Sequence, residues 1–167
     1  DIRKTIFSAK ERLASLNKKT IVFIDEIHRF NKLQQDALLP DVENGNIILI
    51  GATTQNPYFY INPALISRSL VIQFEPLTNK ELEKILLNAI SDKERGFGNI
   101  KINITEEALN HIVNFADGDA RVALNALEVG VLTSKSDKDG LVQFDIKVAE
   151  ESIQKKKIAY DSSEDEH

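Results

Sequence analysis

The 167 residues contain no cysteine, methionine or tryptophan. Without Cys there is no disulfide framework, no thiolate metal site and no Cys nucleophile. The three histidines, His28, His111 and His167, stand too far apart for a local metal motif. Apolar runs stop at four to five residues, far short of a bilayer-spanning helix, and no basic-apolar-small leader precedes the first helical pattern. Glycine is sparse, and none of the seven is followed by Lys. The phosphate-cradling Gly-x-x-x-x-Gly-Lys-Ser/Thr loop is therefore missing. A chain that starts at Asp1 and lacks Met reads as a fragment, with any such cradle upstream. Net charge is −5, which excludes a chain-wide basic nucleic-acid surface and leaves room only for a local patch. The expectation is a soluble, intracellular protein.

What is present is globular. Apolar residues at 42% and charged residues at 28% place the chain outside the disordered class. Ile2, Ile6, Ala9, Leu13 and Leu16 recur at helical spacing. Thr20–Ile24 is continuous, β-branched and apolar, as expected of a strand covered on both faces, and it ends in Asp25-Glu26. A polar helix with Leu33, Ala37 and Leu38 follows, which Pro40 should kink or end. Asn44-Gly45 turns the chain into a second strand, Asn46–Ile50, closed by Gly51. Strand, helix, strand predicts a right-handed crossover and a parallel pair. A polar loop from Thr53 to Asn62, a short helix at Pro63–Ser67 and a third strand at Leu70–Phe74 complete this half.

Beyond Pro76 the pattern is helical. Thr78 with Glu81 is a capping-box signature, followed by Leu82, Ile85, Leu86, Ala89 and Ile90 on one face. A loop with Gly96 and Gly98 precedes the alternating Ile100, Ile102 and Ile104. Thr105 and Asp119 are positioned to cap two further helices, separated by Asp117-Gly118. Ser134–Gly140 reads as a flexible loop, Asp145 as the cap of a last helix, and Lys155–His167 as a charged stretch without a core-forming pattern.

Several residues invite chemistry. Asp25 and Glu26 sit beyond the carboxyl end of a buried strand, where open α/β sheets place ligands. One carboxylate there would help hold a metal-nucleotide, and the next would orient or deprotonate a water; a helix cap with Glu in the first turn is the plainer alternative. Thr53-Thr54 ends the neighbouring strand and offers hydroxyls beside those carboxylates, or simply turn chemistry. Arginine is scarce, six against fifteen Lys. Arg68, at the end of a short helix, suits either an arginine finger into a neighbouring subunit or a surface ion pair of little worth. Arg121 lies in the first turn of a helix, where a cation opposes the dipole unless an anion binds there. His28–Lys32 reads as a basic segment facing DNA or a partner, or as a solvated helix start. Lys155–Lys157 reads as a solvated helix end and His111 as a half-buried helix residue.

Together these residues form a constellation. Ile21–Glu26 resembles the Walker B motif of AAA+ ATPases, Gly51–Thr54 the sensor 1 strand end, Ser67-Arg68 the arginine-finger motif of the clamp-loader branch, and Gly118–Arg121 the sensor 2 helix of the lid. More closely, Asp25–Lys32 with Gln34–Ala37 resembles the replication-associated recombination protein A family (also called MgsA), whose eukaryotic relatives include the Werner helicase-interacting protein. Gly51–Pro57, Asp92–Gly96, Gly118–Arg121 with Leu124-Asn125 and Leu127-Glu128, and the ending Tyr160-Asp161 with Asp165–His167 are similar to that family's strand, lid and lead-in to its oligomerisation domain.

The resemblance implies an α/β fold: the C-terminal part of a P-loop AAA+ parallel-sheet ATPase domain (residues 1–76), a helical lid (77–154) and the start of a C-terminal oligomerisation region (155–167). It implies ATP and Mg as cofactors, with Asp25 the Mg-associated carboxylate, acting through water, and Glu26 the general base or water orienter. Thr54 is the sensor 1 choice, with Thr53 one position away. Arg68 would act in trans and Arg121 in cis on the γ-phosphate. The implied activity is DNA-dependent ATP hydrolysis in replication-fork maintenance and recombination. The implied partners are DNA gaps, ends or forks, single-strand-binding protein and further copies of the chain, in a cytoplasmic, nucleoid- or replisome-associated setting without a membrane. A non-hydrolysing clamp-loader-like scaffold is the alternative, and a metal nuclease built on Asp25-Glu26 the most distant one. Half a parallel sheet is also expected to leave an edge and an apolar face bare, at a cost in solubility.

Overall fold

A computed structural model describes residues 2–154 and divides at Gln73/Phe74 into two compact units. In the first, helix α1 (Ile2–Leu16) turns its Ile6–Ala9 stripe onto a two-stranded parallel sheet of β1 (Thr20–Ile24) and β2 (Ile47–Gly51). Thr20 pairs with Ile47 and Ile24 with Gly51. The connection holds a 3-10 turn (Ile27–Arg29), α2 (Lys32–Asp36) and α3 (Leu39–Glu43). Pro40 stands in the first turn of α3, where its missing N–H costs no helical bond. The polar helix is thus interrupted near Pro40, as expected. After β2 come α4 (Pro57–Tyr60), a helical turn inside the segment read as loop, and α5 (Pro63–Ile66); Asn56 and Asn62 cap them.

Two expectations are corrected. Residues on one face of a parallel pair share register, and Ile21, Phe23, Ile48 and Ile50 form such a face. They are 62%, 63%, 45% and 46% exposed. Only the opposite face, with Ile24 and Ile47, packs against Ile6, Ala9, Leu38 and Leu65. An all-apolar strand has the composition for two covers, but among the described residues only one layer is supplied, which leaves the bare apolar face expected of half a parallel sheet. Leu70–Phe74, expected as a third strand, forms no ladder with β1 or β2. Its Leu70 and Phe74 are 84% and 91% exposed. Propensity favours an extended chain there, but a strand exists only through a partner's N–H and C=O groups.

The second unit is a closed core. Helix α6 (Asn79–Ser91) begins with the expected reciprocal capping box, Thr78 and Glu81 each bonding the other's backbone. The Thr78 N–H and then the Thr78 hydroxyl donate to Glu81 Oε2 and hold that carboxyl below the usual range. The run at Ile102 and Ile104 is strand β3 (Lys101–Ile104), and it pairs in parallel with β4 (Leu141–Phe144), a strand missed beside the expected loop. Between them lie α7 (Glu106–Ala116), capped by Thr105, and α8 (Ala120–Thr133), whose Asp119 cap accepts the N–H groups of Arg121 and Val122. Asp117 and Gly118 carry positive φ, 44° and 85°, and turn the chain between the two helices. At Gly118 a Cβ would also stand 2.7 Å from the Pro76 ring. A final helix, α9, is described over residues 146–154, with Val148 N–H on Asp145 Oδ1. Phe144, Leu82, Leu86, Ile112 and Leu127 are fully buried at the centre. Lys155–Lys157, His167 and the expected oligomerisation lead-in lie outside the described residues.

Candidate functional site at the ends of β1 and β2

Strand pairing continues past the sheet. The Ala52 N–H donates to Ile24 C=O at 2.9 Å and the Ile27 N–H to Ala52 C=O at 3.0 Å. These two bonds lock the turn after β1 against the turn after β2, bringing residues 25–28 beside residues 52–54. Sequence separation alone does not predict that contact; the parallel register does.

Asp25 is exposed, and its Oδ1 accepts the Glu26 N–H at 3.0 Å. It therefore does not cap the 3-10 turn, whose N-cap position is Glu26 without a side-chain cap bond. Glu26 adopts the left-handed region, φ 51° and ψ 44°. A non-glycine residue there is strained by about 1–3 kcal/mol, a cost that persists where surrounding contacts over-determine it. Here those contacts converge on one atom: Glu26 Oε2 accepts the Thr54 hydroxyl at 3.3 Å and lies 3.1 Å from His28 Nδ1. His28 Nδ1 is also 2.8 Å from Thr53 Oγ1, which accepts the Gln55 N–H at 3.0 Å.

The two threonines are thus divided. Thr54 reaches Glu26 itself, and Thr53 reaches His28. His28 is the residue that the sequence does not mark at this site: within His28–Lys32 it reads as part of a basic segment facing DNA or a partner, or of a solvated helix start, whereas its ring is largely buried and meets Tyr60 edge-on at 6.2 Å. Buried Gln35 supports that wall. Its Nε2 donates to the carbonyls of Phe30 and Tyr60, and its Oε1 accepts the Asn62 N–H at 2.7 Å. The Asn62 side chain also donates to Asp36. One buried amide thereby ties the segment after His28 to the segment carrying Tyr60, and among the described residues no buried side-chain nitrogen or oxygen lacks a hydrogen-bond partner.

Arg68 makes other contacts. Its guanidinium pairs with Glu43 at 2.7 Å and donates to Ala64 C=O and Ser67 Oγ. Both members of the pair are half exposed, so the bond holds a geometry more than it adds stability. Arg121 is exposed in the first turn of α8, in the second unit. His111 is half-buried on α7, as expected. Among the described residues no three His, Asp or Glu side chains gather into a metal cage. A lone exposed carboxylate such as Asp25 fits Mg, which keeps several waters and takes further ligands from phosphates.

Comparison with known proteins gives the chain its relatives. Residues 1–77 match the ATPase family associated with various cellular activities (AAA), and residues 98–167 match the AAA C-terminal domain. The chain is 44% identical over 154 residues to replication-associated recombination protein A of Bacillus subtilis strain 168, covering 92% of this chain and 37% of that protein. It is 45% identical over 138 residues to ATPase WRNIP1 of Dictyostelium discoideum, covering 83% of this chain and 16% of that one. The chain thus spans well under half of the curated relatives it matches. Among solved structures, the Thermotoga maritima RuvB Holliday junction branch migration motor superposes with a TM-score of 0.65 at 24% identity, over 89% of this chain and 48% of that one. At that identity the likeness speaks for the fold.

Proposed function

Because the chain belongs to the AAA ATPase family, among the relatives of replication-associated recombination protein A, we propose that it carries the hydrolytic side of an ATP site in a motor acting on DNA at replication forks. The observation that carries this reading is the convergence of Thr54 and His28 on Glu26 Oε2 at the carboxyl ends of two parallel strands. Glu26 accepts a proton from, or orients, the water that attacks the γ-phosphate, and Thr54 fixes the carboxylate as sensor 1. Asp25 is the residue that would hold Mg, and the ion when bound would neutralise charge on the phosphate oxygens. Arg68 acts in trans, released from Glu43 when a neighbouring subunit presents its phosphates, and Arg121 acts in cis from the lid. Both place positive charge where the transition state gathers negative charge.

The rest of the proposal concerns the longer protein: homo-oligomers, ATP-driven remodelling at DNA gaps, ends or forks, single-strand-binding protein as a partner, and association with the nucleoid or replisome. Its support is the likeness to replication-associated recombination protein A; no helix among the described residues is long and apolar enough to cross a membrane. The test is steady-state ATP hydrolysis by the full-length protein with and without gapped DNA. DNA-stimulated turnover that Glu26→Gln lowers about a thousandfold or more, with nucleotide still bound, is the expected result. Folded, assembled protein that hydrolyses no ATP would transfer the reading to a non-hydrolysing scaffold.

A further inference from the structure

One group in the cluster is left without a task by the reading above. His28 Nδ1 lies 3.1 Å from Glu26 Oε2. An ionised carboxylate only accepts hydrogen bonds, so a ring nitrogen at that distance carries its proton on Nδ1. Thr53 Oγ1, 2.8 Å from the same nitrogen, keeps a lone pair beyond the one used by Gln55 N–H. A single Nδ1–H is within reach of both oxygens.

We infer that His28 is a positioning residue for the Glu26 carboxylate: its Nδ1–H, with the Thr54 hydroxyl, engages Oε2 and leaves Oε1 as the oxygen available to a water. The inference rests on the hydrolytic role proposed for Glu26. Three features of the chain make His28 suited to it. The ring is held rather than free, with Tyr60 against it and Tyr60 C=O anchored by buried Gln35. Both contacts fall on the same oxygen, which distinguishes the two carboxylate oxygens chemically. Finally, Glu26 sits on left-handed backbone, so its side chain departs from an unusual direction and its otherwise free rotamers need external definition. Thr53 gains a role as well, as the second acceptor that fixes the ring plane from β2.

The experiment uses the full-length protein and four forms: wild type, His28→Ala, His28→Asn and His28→Ala combined with Glu26→Gln. Losing a charge-assisted hydrogen bond should lower kcat about tenfold to a hundredfold in His28→Ala, with KM for ATP and affinity for a fluorescent nucleotide analogue nearly unchanged. Asn offers an N–H close to the Nδ1 position, so His28→Asn should recover most of the lost turnover. In the Glu26→Gln background, His28→Ala should cost nothing further, because its effect passes through the carboxylate. Independently of turnover, nitrogen-15 spectra of labelled histidine should show the His28 proton on Nδ1, shifting in Glu26→Gln.

A His28→Ala enzyme with wild-type kcat, a loss equally large in the Glu26→Gln background, or a proton on Nε2 alone would each overturn the inference. If wild type itself hydrolyses no ATP, the hydrolytic role of Glu26 and this inference fall together, which separates that case from failure of the positioning role alone.

Discussion

The two units bury their apolar residues in different ways. In the second unit, helices α6, α7, α8 and α9 and strand β4 close around Phe144, Leu127, Ile112, Leu86 and Leu82, all fully buried. In the first, a comparable supply of apolar side chains covers only one face of a two-stranded sheet and leaves Ile21, Phe23, Ile48 and Ile50 open. Helices can satisfy their backbone internally and need only one stripe covered, so a small bundle completes itself. The parallel pair β3–β4 carries Lys101, Asn103 and Gln143 on its outer face and needs only one cover, whereas β1–β2 is apolar on both faces and needs two. The same apolar fraction thus yields a finished core in one half of the chain and an unfinished one in the other. The polar cluster of Glu26, His28, Thr53 and Thr54 belongs to the unfinished unit.

The contrast can be tested most severely at Phe144. Phe144→Ala should cost about 3–5 kcal/mol of second-unit stability, read by denaturant unfolding with hydrogen exchange resolved by unit. A cost below about 1 kcal/mol would mean that this core is not closed.

Gly130 of α8 asks the same question from the opposite side. A Cβ there would stand 2.4 Å from two carbons of the Phe144 ring. Gly130→Ala, which helix propensity alone would favour, should instead destabilise by about 1–3 kcal/mol through overpacking. A stabilised variant would show that the ring has room to move.

Asp41 sharpens the comparison through pH. It is a buried carboxylate in the first unit, paired with Lys10 at 2.9 Å and accepting Asn46 Nδ2–H at 2.7 Å. Burial by itself raises this carboxyl; the hydrogen bonds from Lys10 and Asn46, with the Lys10 charge, outweigh it and hold it below the usual range. The folded state therefore binds this proton less readily than the unfolded chain. Its stabilisation is complete above the ordinary Asp value, about 3.9, and is lost as pH falls through the lowered folded value. Unfolding followed between about pH 5 and pH 2 should show protection of first-unit amides falling more steeply in wild type than in Asp41→Asn. Equal slopes would detach the acid sensitivity from this residue.

The smallest effect is expected on the bare face. Phe23→Thr should change stability by about 0.5 kcal/mol or less, because the ring is mostly in water already, while solubility of the chain rises. A loss as large as that of a core residue would show the face to be covered.

Much of this organisation is legible in local sequence, wherever the cause is itself local. The Thr78–Glu81 box, the Thr105 and Asp119 caps and the Asp117-Gly118 break involve partners within a few residues, and all take the expected form. The β1 and β2 runs and the carboxylates at the strand end are equally plain. Strand β4 was missed because a four-residue parallel strand has no signal of its own beside a polar loop; its identity comes from Ile102 and Ile104 on β3, far away in sequence. His28 was misjudged for a related reason, since neighbours in sequence, Arg29 and Lys32, suggested a basic surface. The Arg68–Glu43 pair and the Gln35 bridge to Tyr60 and Asn62 likewise join residues from separate elements.

The sequence by itself determined the longer helices and their caps, though not the turn at Pro57–Tyr60, and that Asp25, Glu26 and Thr54 follow strand ends, because periodicity and capping act over a single turn or strand. Tertiary structure alone decided which residues meet. Parallel register set Thr54 against Glu26, the wall of Tyr60 and Gln35 turned His28 inward, and pairing granted strand character to Leu141–Phe144 and withheld it from Leu70–Phe74. The physical reason is that an extended segment and a carboxylate both have valences that only a distant part of the chain can fill.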